Sequence, residues 1–122
     1  MSEAEPNWAE VRAAIGSGRI AVVSNRDDAP LQTRLETALG REVTWVRNDE
    51  RRIAHLAKSI KAGTVDYVLI LHSFIDHNSY LIIMRAARAA KIKPILVRRG
   101  RPATVLREIH RAVITIEDPS HD

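Results

Sequence analysis

Apolar positions along the chain follow two alternating patterns. Short continuous runs, such as Ile20-Ala21-Val22-Val23 and Ile95-Leu96-Val97, read as buried strands. Longer stretches in which apolar residues return every three or four positions read as helices with one buried face. Residues 6–15 predict a short helix with Trp8, Val11 and Ile15 on one side, ended by Gly16 and Gly18. Residues 19–24 predict a first strand. Asp28 is placed to cap a second helix with Pro30 in its first turn and Leu31, Leu35, Ala38 and Leu39 as its stripe; Gly40 stops it. Residues 42–47 predict a second strand, with Val43 and Trp45 alternating against Thr44 and Val46. Asn48 or Asp49 caps a third helix carrying Ile53, Leu56, Ala57 and Ile60.

Residues 65–71 are aliphatic except for Asp66 and Tyr67, which predicts the most central strand. A helix over about 78–90 follows, then the strand 95–97 within 93–98, then a helix starting at Pro102 with Val105, Leu106 and Ile109. The β-branched segment 113–117 is a candidate fifth, edge strand, and 118–122 read as a frayed tail. No repeat, low-complexity segment or linker interrupts residues 1–122, which read as a single domain. Strands separated by helices of this length require parallel pairing and right-handed crossovers. The expected fold is α/β: a three-layer Rossmann-like or flavodoxin-like sandwich on a parallel sheet of four or five strands, ordered 2-1-3-4 with the fifth beside the fourth.

Composition narrows the function classes. The absence of cysteine removes disulfides, thiol catalysis and zinc-thiolate sites and fits a reducing cytoplasm. The longest apolar runs fall well short of the ~20 residues that span a bilayer, and the acidic start does not resemble a signal peptide. A soluble, cytoplasmic protein is expected. A net charge of +4 and an isoelectric point near 10.0 favour an anionic partner: nucleotide, phosphate, nucleic acid or acidic protein.

The placement of charge is more informative than its total. In such a sheet every strand-to-helix turn lies at the carboxyl edge. These turns hold Ser24-Asn25-Arg26-Asp27-Asp28, residues 47–52, His72-Ser73-Phe74-Ile75-Asp76-His77-Asn78-Ser79 and Arg98-Arg99-Gly100-Arg101. The opposite turns, around Gly16-Ser17-Gly18 and Ala62-Gly63-Thr64, are small and bland. The chain direction reverses between strands 1 and 3, so the crevice there is the expected site. Helix amino termini at this edge favour anions, and guanidinium forks match phosphate oxygens. Two readings fit: an anion site, or an edge in which Asp27, Asp28, Asp49 and Glu50 cap helices and neutralise the arginines.

The candidate ligand-binding set is Asn25, Arg26, His72, Ser73, Asp76, His77, Asn78, Arg98 and Arg99. No Gly-x-Gly-x-x-Gly follows the first strand and no Gly-Lys-Ser/Thr loop exists, which argues against dinucleotide binding and P-loop hydrolysis. A receiver-domain reading fails because strand 3 ends in Leu71-His72 rather than an aspartate. His72, Asp76 and His77 do not form a recognised metal-ligand pattern, so no metal and no cofactor are expected. His72 or His77 could serve as a general base, and Ser73 or Ser79 as a nucleophile, outside any Gly-x-Ser-x-Gly elbow. His55, His110 and His121 are expected at the surface. An aromatic content of 4% argues against a base-stacking single-strand binder.

From about residue 19 to 106 the chain resembles a family of small bacterial domains of unknown function, the DUF2325 type. The resemblance rests on Arg26 after the first strand, on 66–78 as that family's strand and Ser-His-Asn-like turn, and on Lys93-Pro94-Ile95-Leu96-Val97-Arg98-Arg99-Gly100 as its next strand and basic turn. Asp76 stands where the family usually has serine. Ser24-Asn25 and Asn48-Asp49 replace its Gly-Gly pairs. The resemblance implies a Rossmann-like fold.

The leading expectation is a non-catalytic or regulatory module that binds an anionic small molecule, a nucleotide or phosphate compound, at the carboxyl edge. The alternatives are a nucleic-acid-associated protein using the same basic edge and a small hydrolase with a histidine base. A homodimer is expected, with the Trp8 helix as a possible assembly element covering a sheet edge or a second subunit.

Overall fold

The structure, a computed structural model, describes residues 8–25, 27–71, 76–97 and 102–117, and only the backbone of 102, 103 and 114–117. The elements run α1 (Trp8–Ile15), β1 (Ile20–Ser24), α2 (Ala29–Leu39), β2 (Thr44–Arg47), α3 (Glu50–Lys61), β3 (Tyr67–Leu71), α4 (His77–Ala90), β4 (Ile95–Val97) and α5 (Pro102–Glu117). The four strands form a parallel sheet in the order β2-β1-β3-β4. The expected α/β sandwich and its strand order are therefore what the chain adopts.

Period-two alternation divides the core between the two faces of the sheet. Ile20, Val22, Leu69, Leu71, Ile95 and Val97 face α1, α2 and α5. Ala21, Val23, Val46, Val68 and Ile70 face α3 and α4. Both faces of β1 are thus buried, which explains its uninterrupted apolar run.

Local chemistry sets where elements begin and end. The β3 ladder starts at Tyr67 rather than 65, because the approach to it is held from the side. The Arg19 backbone N–H donates to Asp66 Oδ2 at 2.8 Å, and Asp66 N and Tyr67 N both donate to Arg19 O. The β2 ladder likewise starts at Thr44, after Val43 N has donated to Glu36 Oε2 at 3.0 Å. Gly40 closes α2 in the left-handed region at φ 69°. Lys91 closes α4 in the same region at φ 59°, with a side chain. For a residue with a Cβ that conformation costs roughly 1–2 kcal/mol. Lys91→Gly is expected to stabilise the protein by about 0.5 kcal/mol or more once glycine's greater unfolded-state freedom is subtracted; urea denaturation measures it, and a loss of stability would contradict it.

Three expectations are corrected. Residues 113–117 are not a fifth strand but the last turns of α5. Val113 is buried and continues the stripe of Val105, Leu106 and Ile109 at helical spacing, so packing overrides β-branched propensity. His110 is not a surface residue. Its ring meets Trp8 edge-to-face at 5.8 Å and 81°, and its Nε2 is buried with no hydrogen-bond partner among the described residues. The apolar face of α1 does not await a second subunit: Val11 and Ile15 are buried in the same cluster as α5 and α2. His55 is exposed, as expected. The expected tail at 118–122 and the first residues of the expected helix 6–15 lie outside the described residues. Among the described residues no helix is long and apolar enough to cross a membrane.

Candidate functional site at the carboxyl edge

The parallel order brings the end of β1, the turn after β2 and the start of α4 together at one edge. Ser24 ends β1 and is buried; its carbonyl accepts from Asn48 N at 2.8 Å. Asn48 then reaches across the sheet edge, and its Nδ2 donates to Asp76 Oδ2 at 3.0 Å. Asp76 caps α4. Its Oδ1 accepts from Ser79 N at 2.8 Å, and its Oδ2 also accepts from the Ser79 hydroxyl at 3.0 Å. This network ties the β2–α3 turn to the amino end of α4, across the end of the central strands. Asn48 Oδ1 is buried within it and has no hydrogen-bond partner among the described residues. An unsatisfied buried acceptor costs free energy unless a donor supplies the missing bond.

The donors gathered on Asp76 hold its carboxyl below the ordinary value of 3.8. The Ser79 backbone N–H contributes most, then the Asn48 amide and the Ser79 hydroxyl. A depressed carboxyl stabilises the fold above its unfolded pKa and loses that contribution as pH falls through the folded one. The destabilisation caused by Asp76→Ala should therefore be full at neutral pH and shrink below pH 3.8. Denaturant titrations of both proteins across this range test it, and a pH-independent difference would contradict it.

The other helices at this edge begin in the same way. Asp28 Oδ1 accepts from Leu31 N at 3.1 Å at the start of α2. Asp49 Oδ1 accepts from Arg52 N at 2.9 Å at the start of α3. Each carboxylate occupies the position where the positive end of the helix would attract an anion. Asp28 and Asp49 thus act as the helix caps that the second reading of this edge expected. Asp49 rather than Asn48 is the cap of α3. It also pairs with Arg52, Nε to Oδ2 3.3 Å. Among the described residues, no carboxylate pairs with the guanidinium of Arg47 or Arg51. Arg12 and Arg41 serve the fold instead: Arg12 Nη1 donates to Ala38 O at 2.7 Å, and Arg41 Nη1 donates to Gly18 O.

Of the sequence-derived candidates, Asn25 is exposed at the end of β1, while Asp76, His77 and Asn78 are exposed at the start of α4. Arg26, His72, Ser73, Arg98 and Arg99 lie outside the described residues. Ser79, considered as a nucleophile, gives its hydroxyl proton to Asp76 rather than to a histidine. Asn48 and Ser24 join the site as residues the sequence patterns did not select. Among the described residues no three histidine, aspartate or glutamate side chains stand together as a metal site.

No family model matches the chain, and no curated protein matches it. The crystal structure of SulA from Pseudomonas aeruginosa is similar, with a TM-score of 0.50 and 12% identity over 76% of this chain and 83% of that chain. At that identity the likeness is one of fold: an α/β sandwich on a parallel sheet, the architecture on which the polar edge described above is built.

Proposed function

We propose that this chain is a non-catalytic or regulatory binding module whose ligand is an anionic small molecule, a nucleotide or other phosphate compound, held at the carboxyl edge between the ends of β1 and β3. The observation that carries the proposal is the 2-1-3-4 strand order, which puts the topological reversal beside Ser24, Asn48 and Asp76. The open acceptor of Asn48 supports a ligand that also offers a donor, such as a hydroxyl or amino group. With aspartates at three helix starts, the ligand's charge falls to guanidinium groups: Arg47, whose side chain is exposed and without a carboxylate partner among the described residues, together with Arg26, Arg98 and Arg99 of the neighbouring turns. The DUF2325-type resemblance is part of the same proposal, since it rests on those turns.

A thermal-shift screen with nucleoside mono-, di- and triphosphates and inorganic phosphate tests it. A ligand present at about 100 times its dissociation constant stabilises the fold by roughly 2.7 kcal/mol, enough for a clear rise in melting temperature. No shift with any phosphate compound at millimolar concentration would contradict the proposal. A homodimer belongs to the proposal as well, supported by Leu96, which is 45% exposed on the edge strand β4; sedimentation at two protein concentrations reads it.

A further inference from the structure

The α3 and α4 layer covers its face of the sheet incompletely. Three helices pack on one face and two on the other. The crossover from β2 carries α3 inward to pack against α4, and Thr44 on the edge strand β2 stays exposed on that side. The result is a groove of about 600 Å³ along α3 and β2. Its floor is apolar: Ala21, Val46, Leu56 and Val65. Its basic lining is Arg19, Arg51, Arg52 and His55, with no aspartate or glutamate among the described residues.

We propose that this groove is a second ligand site, one that takes an alkyl carboxylate. The acid group sits near Arg51 and His55, which are one turn apart on the same flank of α3. The alkyl chain lies along the apolar floor toward Thr64 and Val65 at the amino edge of the sheet. Arg52 already holds Asp49 at 3.3 Å, whereas Arg51 has no carboxylate partner among the described residues. Arg51 at the head and Arg19 at the far, amino end are separated by an apolar floor, an arrangement that suits a monoanion with a hydrocarbon body better than a compact polyphosphate. Among the described residues the groove takes none from the turns after β1, β3 or β4 and meets the carboxyl edge only at Arg51 and Arg52 at the start of α3, so it is distinct from the crevice between β1 and β3 and does not depend on that reading.

Trp45 packs in the same cluster as Trp8 on the opposite face of the sheet, so the groove is read through backbone amides rather than through tryptophan emission. Titrating decanoate below its micellar range should shift the amide resonances of residues 44–46 and 51–56 saturably, with decanol binding at least ~10-fold more weakly. Arg51→Glu and His55→Glu, both at exposed helix positions, should each weaken decanoate by about tenfold or more. ATP should leave the titration unchanged. Absence of saturable binding, equal affinity for decanol, indifference to both substitutions, or competition by ATP would each overturn the proposal.

Discussion

Replacing Ile70 with alanine is expected to destabilise the fold by about 2–5 kcal/mol, whereas Leu96→Ala, at its neighbour across the ladder, should cost no more than about 1 kcal/mol. The two side chains are partners in the β3–β4 register and stand on the same face of the sheet. Ile70 is wholly buried beneath α3 and α4. Leu96 is 45% exposed on the edge strand. Truncating Ile70 leaves a void that close-packed neighbours fill only in part, while truncating Leu96 removes atoms that already meet solvent. A domain of this size has roughly 5–15 kcal/mol of total stability, so the first change should move the urea midpoint far more than the second. Equal effects would mean that the face is not layered as described.

Ala112→Pro is the second large effect expected, at about 3 kcal/mol or more. Residue 112 lies inside α5, where proline removes an i to i−4 hydrogen bond and its ring strikes the carbonyl of residue 108. Were 113–117 an edge strand instead, proline at 112 would fall just before it and be tolerated. The same α5 face holds Val113, Ile109 and the ring of His110 against α1, so loss of helix there should also expose Trp8. A red shift of Trp8 emission accompanying the lost stability separates this outcome from a local kink at the chain's end.

Much of this fold was legible in the sequence, for identifiable reasons. The strands are short and mostly buried on both faces, so they appear as unbroken aliphatic runs. The helices announce themselves through spacing and through Asp28, Asp49 and Asp76 just ahead of them. Residues 113–117 misled because Val113-Ile114-Thr115-Ile116 satisfies strand propensity and helical spacing together, and only the packing of Val113 beside Ile109 decides. His110 was hidden in the same way, since its burial depends on Trp8, a hundred positions away in the chain.

The candidate site was legible as a place but not as a network. Strand order and turn polarity located the carboxyl edge. They could not supply the bond from Asn48 to Asp76, which joins residues 28 apart, nor the buried acceptor that it leaves. The caps also cut two ways. Aspartates that mark helix starts for a reader of sequence also place negative charge where the helices would otherwise attract an anion. The groove beside β2 was invisible for a different reason, because it arises from a helix that packs inward and not from any motif.

Amide chemical-shift mapping with ATP and with inorganic phosphate tests the carboxyl-edge proposal most directly. Binding there should perturb residues 24–26, 47–49, 76–79 and 98–101 together while leaving the turns at 16–18 and 62–64 unmoved. Perturbations confined to the amino edge, or none at millimolar ligand, would contradict it.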